Sequence, residues 1–339
     1  MLEKVLVTGG AGFIGSHVAE HLIQQGKKVI VIDDLSGGFR DNVPVNAEFV
    51  EGSILNVTLL DNVFKQNNIS HIYHLSAYAA EGLSHFIKNF NYNNNLIGSV
   101  NLINMAVNYN IKCFVFTSSI AVYGTGQAPF LEDVKPEPED SYGIAKYAVE
   151  QELKISYEMF GLNYIIFRPH NVYGERQNIG DRYRNVIGIF MNQLMNGERM
   201  TIFGDGNQTR AFSYIDDVAL PIAHAGFMEK CYNKLFNIGA DKPYSLNTLA
   251  KVVAEQMGGA LKTEYLEERN EVKHAFADHS KSKEYFNDYI ANISLVEGIE
   301  RMVDWVKING GRKSNKFDNI EIFKNMPVSW AEDVEHQKT

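Results

Sequence analysis

The sequence predicts an α/β fold: a doubly wound parallel sheet with helices on both faces, joined to a smaller α/β domain that would hold a substrate. Three observations support it. Short apolar runs alternate with longer helical patterns through the first half of the chain. A glycine-rich loop separates the first run from the first helix. After Arg168-Pro169 the alternation gives way to text rich in Asn, Gly, Arg and Asp.

Residues 5–8 read as the first strand. Phe13, Ile14, Val18 and Leu22 then recur at helical spacing, and Gly26 supplies a stop. Residues 29–32, 72–75, 113–117 and 164–167 are further apolar runs. Leu96, Val100, Ile103 and Val107 mark a helix between two of them. Strand and helix in alternation imply βαβ crossovers and a parallel sheet. A later run, residues 235–238, is expected to return to that sheet.

The 339 residues allow two domains, and 45% hydrophobic against 22% charged residues implies a packed core. A net charge of −9 argues against nucleic acid as a partner. No basic run suggests a membrane surface, and no apolar stretch is long enough to span a bilayer. The first strand starts without a secretory leader before it, so a cytoplasmic location is expected. Cys113 and Cys231 form no CxxC pair, which argues against a disulfide framework or a structural metal site.

The loop decides the chemistry. Gly10, Gly12 and Gly15 match GxGxxG, while Gly9, Gly12 and Gly15 match GxxGxxG. The loop follows a predicted strand and opens a predicted helix. Glycines let backbone approach a pyrophosphate, and the helix N-terminus offers it free N–H groups. A second strand ends at Asp33, roughly 20 residues on, where an acid would bind the ribose hydroxyls. Asp33 and Asp34 favour NAD over NADP, with Arg40 the one basic residue nearby. His17 and Glu20-His21 also spell the zinc pattern HxxEH. They fall on the helix that must pack beside the loop, so they are expected to be ordinary helix residues.

Tyr142 and Lys146 stand at i and i+4, on one helix face. Of 17 tyrosines, Tyr142 is the only one followed four positions later by lysine. A neighbouring ammonium favours a phenolate, so the pair can build a general acid/base. Thr117, Ser118 and Ser119 offer hydroxyls at a strand end, where ligands lie in this architecture.

With TGGAGFIG, Asp33, HLSA (74–77), SSIAVYG (118–124) and YGIAK (142–146) in place, the chain resembles the extended short-chain dehydrogenase/reductase family. That resemblance implies a Rossmann-type fold. RPHNVYG (168–174), GDGNQTRAFSYIDDVA (204–219) and FADHSKSKEYF (276–286) look like its nucleotide-sugar epimerases, above all the UDP-hexose 4-epimerases for UDP-glucose or UDP-N-acetylglucosamine. The resemblance implies Ser119, Tyr142 and Lys146 as the catalytic set, with Lys146 also on the nicotinamide ribose. It implies Gly9, Gly12, Phe13, Ile14, Gly15, Asp33 and Asp34 on NAD. Ser53 and Ile54 would meet the adenine, Leu75, Ser76 and Ala77 would line the pyrophosphate, and Asn95 would be a structural residue near the cofactor. Asn171 and Arg210, with Arg269, would hold the sugar nucleotide.

Three departures stand out. Ser53-Ile54 replaces the family's Asp-Ile. Arg269 lies in a stretch one residue shorter than usual. Ala79 and Ala80 put small residues where the sugar meets a loop. Ile120 and Ala121 replace the acid that dehydratases and uronate decarboxylases carry beside VYG, which disfavours dehydration. The expected function is therefore NAD-dependent C4 epimerisation of a nucleotide-diphospho-sugar, with a C4 dehydrogenase or reductase as the alternative. The expected domains are 1–168 for NAD, with a returning segment near 211–240, then 169–210 and 241–330 for substrate, and a 331–339 tail. A second apolar stripe, Leu102, Met105 and Tyr109, together with the helix through Ala148, Leu153, Ile155 and Met159, predicts a homodimer.

Overall fold

The structure, a computed structural model, describes residues 3–126, 128–181, 185–268, 274–311 and 320–327. In chain order the first half comprises β1 (Lys4–Thr8), α1 (Phe13–Gln24), β2 (Lys28–Asp33), β3 (Glu48–Glu51), α2 (Val57–Gln66), β4 (Ile69–His74), α3 (Glu81–Ser84), α4 (Lys88–Tyr92), α5 (Gly98–Asn108), β5 (Cys113–Thr117), α6 (Ser141–Phe160) and β6 (Tyr164–Pro169). The second half comprises β7 (Val172–Tyr173), α7 (Val186–Met195), β8 (Met200–Phe203), β9 (Thr209–Ala211), β10 (Ser213–Tyr214), α8 (Ile215–Ala225), β11 (Lys234–Ile238), β12 (Pro243–Ser245), α9 (Leu246–Gln256), β13 (Thr263–Leu266), β14 (His274–Ala275), α10 (Ser280–Phe286) and α11 (Leu295–Asn309).

Seven strands form one sheet in the order β11-β6-β5-β4-β1-β2-β3, and each pairing is parallel. The order reverses direction at β1–β4, which opens a crevice at the strand ends there. Central strands β4, β5 and β6 are buried along their whole length, as expected for a sheet covered on both faces. One apolar layer packs Val18, Ala19 and Leu22 of α1 against Val218, Ile222 and Ala223 of α8 and the sheet. The other packs Leu60 and Phe64 of α2 with Leu102, Ile103 and Ala106 of α5. His74 ties the layers to the sheet: its ring nitrogens meet Thr8 Oγ1 at 2.7 Å and Ser99 Oγ at 2.8 Å.

The run 235–238 lies in β11, beside β6 at the sheet edge. Edge strand β3 was not expected. The α5 helix corrects one expectation. Leu102 and Met105 are buried within the chain's own core, and Tyr109 packs on Phe64 and donates to Asp61 at 2.7 Å. This stripe is covered by α2 and the sheet, so it offers no face to a second subunit. The expected 331–339 tail lies outside the described residues. Among the described residues no helix is long and apolar enough to cross a membrane.

Candidate active site

Beyond β1 the backbone turns at Gly9, whose φ is +72°. A Cβ at Gly9 would stand 2.7 Å from Ser76 N, and one at Gly15 would stand 2.1 Å from Gly9 O. Any side chain at these positions would break the close fit of loop, helix and β4 exit. The first turn of α1 has no side-chain cap, so its N–H groups stay available to a ligand. They look onto a crevice of about 860 Å³, at the upper end of the range for cofactor and ligand pockets. Gly9, Gly12, Phe13, Ile14 and Gly15 line it.

Asp33 ends β2 at the same crevice. Its carboxylate accepts from Ala11 N–H at 3.0 Å and Leu35 N–H at 2.8 Å, so it also shapes the glycine loop. Burial raises its pKa above the usual carboxylate value, partly offset by those N–H donors. Asp34, Ser53, Ile54, Leu75, Ser76 and Ala77 line the crevice too. Asn95 does not. It is buried, accepts from Tyr78 N–H at 2.8 Å and donates to Tyr78 C=O at 3.1 Å, which places it behind the wall. Arg40 stacks on Phe49, 4.2 Å from the ring centre, and stays off the crevice lining. His17 Nε2 sits 3.0 Å from Glu175 C=O, while His21 bonds Gln24, so the two rings of the zinc-like pattern serve separate partners.

Tyr142 and Lys146 lie on the first turns of α6, which Asp140 caps by accepting from Gly143 N–H at 2.8 Å. Both face the crevice. Lys146 Nζ donates to Thr117 C=O at 2.8 Å and lies 5.8 Å from the Tyr142 ring centre. Burial lowers the Lys146 pKa to about 7, and the Glu150 carboxylate opposes that fall. The three candidate hydroxyls separate by their partners. Thr117 Oγ1 donates to His74 C=O at 2.9 Å, and Ser118 Oγ donates to Glu150 Oε1 at 2.6 Å. Ser119 Oγ accepts from Ala121 N–H at 3.1 Å, which leaves its own proton to donate into the crevice.

Beneath them lies a pair that local sequence patterns do not reveal. Arg168 Nε and Nη2 donate to the two Glu150 oxygens at 2.9 and 2.6 Å, and both residues are buried. This bidentate pair joins β6 to α6 one turn past Lys146. Across the crevice, Asn171 takes φ +41° and donates to Ala211 C=O at 3.2 Å. Arg210 stands on β9, and both residues line the crevice. Arg269 lies outside the described residues. Ile120, Ala121 and Ala79 line the crevice, whereas Ala80 is buried behind it. Arg176 and Gln177 also line it and were missed, because they follow a turn with no periodic signal.

The glycine cradle and the Tyr142–Lys146 pair thus share one crevice. Fold and crevice define a dinucleotide-binding core with acid/base candidates beside the cradle. The chain belongs to the NAD dependent epimerase/dehydratase family, whose model matches residues 5–239. Its cofactor is NAD, which the cradle and Asp33 fit. The chain is 35% identical to a putative UDP-glucose 4-epimerase of Methanocaldococcus jannaschii over 90% of this chain and 99% of that protein. The structure of a Thermotoga maritima UDP-glucose 4-epimerase with UDP-glucose matches with TM-score 0.85 and 35% identity, covering 91% of this chain and 99% of that one. A Thermus thermophilus UDP-glucose 4-epimerase complex with NAD matches with TM-score 0.84 and 28% identity, covering 90% and 99%.

Proposed function

We propose that the chain inverts C4 of a nucleotide-diphospho-hexose, a UDP-hexose first, through a transient 4-keto sugar. The observation that carries this reading is the set Ser119, Tyr142 and Lys146 on one crevice with apolar Ile120 and Ala121 beside it. Tyr142 Oη takes the proton of the 4-hydroxyl and later gives it back. Ser119 donates a hydrogen bond to the C4 oxygen. Lys146 and the α6 N-terminus supply positive potential beside the phenol. Bound NAD supplies the hydride acceptor and donor. Gly9 to Gly15 and Asp33 would hold it, while Asn171 and Arg210, with Arg269, would hold the diphosphate. With no acid at 120 or 121, no side chain there can drive loss of water from the keto sugar.

The test is a panel of UDP-, GDP-, CDP- and dTDP-sugars followed by NMR without added cofactor. Inversion at C4 supports the reading. Net oxidation or reduction that requires added cofactor would replace it with a C4 dehydrogenase or reductase.

The chain is also read as a homodimer. Helices α5 and α6 pack side by side, and Ile97, just before α5, is exposed to solvent, as are Ile144, Ile155 and Met159 of α6. Light scattering is expected to return twice 38.3 kDa. A monomer at micromolar concentration would end this reading.

A further inference from the structure

The wall of the crevice beside Tyr142 is built on a segment from the far end of the chain. Tyr78, Glu81, Gly82, His85, Phe90 and Asn94 line the crevice from the stretch that carries α3 and α4. Helix α3 is a single turn of four residues, whereas α4 runs on through a π-helical turn, Asn93–Ile97, into α5, so its start is the first turn of a long helix. Their outer face carries a small apolar cluster, Ala80, Leu83 and Ile87, separate from the main core. Ile320 and Met326 pack against it from residues 320–327.

Two backbone bonds fix the segment there. Glu321 N–H and Ile322 N–H both donate to Phe86 C=O, at 2.9 and 3.1 Å. The Glu321 carboxylate then caps α4. Its Oε2 accepts from Asn89 N–H and its Oε1 from Phe90 N–H, each at 2.8 Å. These are N–H groups that a helix start leaves without an internal partner, and a carboxylate is their strongest acceptor.

The next residue carries the effect to the reacting group. Asn91 is buried and its Nδ2 donates to Ser141 C=O at 2.7 Å, one residue before Tyr142. From α3, Ser84 Oγ accepts from Tyr142 N–H at 3.2 Å. The wall therefore holds both the sugar end of the crevice and the start of the helix that presents Tyr142.

We propose that residues 320–327 are a strap that sets this wall, with Glu321 a positioning residue acting through α4 on the sugar end of the site. The proposal rests on the epimerase reading for its substrate and on the contacts above for its structure. It assigns the strap to the sugar, because Glu321 and Ile322 bond Phe86, Asn89 and Phe90, whereas Asp33 bonds the glycine loop at Ala11.

Three proteins test it: Glu321→Ala, Glu321→Gln, and a chain ending at Gly311. Hydrogen exchange is expected to show faster exchange at Asn89 and Phe90 and across 81–97 in Glu321→Ala and in the shortened chain. Amides of β1 and β2 are expected to keep their protection. The ratio kcat/KM for the nucleotide sugar is expected to fall roughly 10-fold in Glu321→Ala, within the ~100-fold that a small misplacement of reacting groups can cost. UDP and NAD affinities should stay those of the unmodified protein. Glu321→Gln keeps one acceptor oxygen for one of the two N–H groups and should recover only part of the loss. Unchanged protection at Asn89 and Phe90 overturns the strap, as does a loss of UDP or NAD affinity equal to the loss for the sugar. An unmodified chain that turns over no nucleotide sugar counts against the epimerase reading alone, since amide exchange needs no turnover.

Discussion

The two sides of the crevice recognise by different means. On the cofactor side, backbone does the work: a turn at Gly9, a close approach at Gly15, and an uncapped helix start. Asp33, the one charged side chain needed there, is itself pinned by two N–H donors from neighbouring loops. On the proposed substrate side, side chains would do the work and short pieces carry them. Arg210 sits on a three-residue strand, and Asn171 is held at positive φ by a bond to Ala211. Recognition by backbone tolerates few sequences, so it leaves a spaced motif. Recognition by side chains on loops tolerates many, so substrate choice can change while the cradle persists.

Tyr142 lines the crevice between them and is the proposed acid/base. Tyr142→Phe is expected to lower kcat by about 10²–10⁴-fold, the usual contribution of one general acid/base. NAD and UDP affinities should hold, because only a hydroxyl is lost. Full turnover would break the assignment. The cofactor side should respond next. Asp33→Ala is expected to reduce NAD affinity about 10- to 100-fold, the scale of a hydrogen bond to a charged group, and to relax the preference over NADP. Calorimetry with both cofactors reads this, and equal affinities in the unmodified protein would contradict it.

The smallest effect is on stability. Burial holds the Lys146 pKa at about 7, below its unfolded value of roughly 10.4. Between those values the unfolded chain binds more protons than the folded one, so this residue makes stability rise with pH across the window. Below pH 7 the cost of burying the charge is present in full. Lys146→Met removes that cost. Without cofactor, the variant's advantage over the parent should be largest below pH 7 and shrink toward pH 10. Denaturant midpoints across that range measure it, and a gap that does not change with pH would contradict it.

Six of the seven sheet strands were legible because they are apolar runs buried on both faces. Strand β3 was not: Glu48-Phe49-Val50-Glu51 is a half-exposed edge with little apolar signal. Tyr142 and Lys146 were legible because helical spacing puts them on one face. Spacing alone left Thr117, Ser118 and Ser119 open and only the family resemblance pointed to Ser119; in the structure Ser118 is occupied by its bond to Glu150. The Arg168–Glu150 pair spans 18 residues and two elements, so no local pattern announces it. The α5 stripe misled because a helix wedged between sheet and α2 buries more than one face. The strap was unreadable because Glu321 and Asn89 lie 232 residues apart.

The central claim is that C4 is inverted by removing and returning the same hydrogen as hydride while Tyr142 moves only the hydroxyl proton. The most direct measurement is to run the reaction in D₂O on the sugar that the panel identifies, and to read the C4 position of the inverted product by NMR. Hydride return requires the original hydrogen at C4, with no deuterium incorporated. Deuterium at C4 would show that a carbon-bound proton exchanges with solvent, and would contradict both the redox route and the restriction of Tyr142 to the hydroxyl proton.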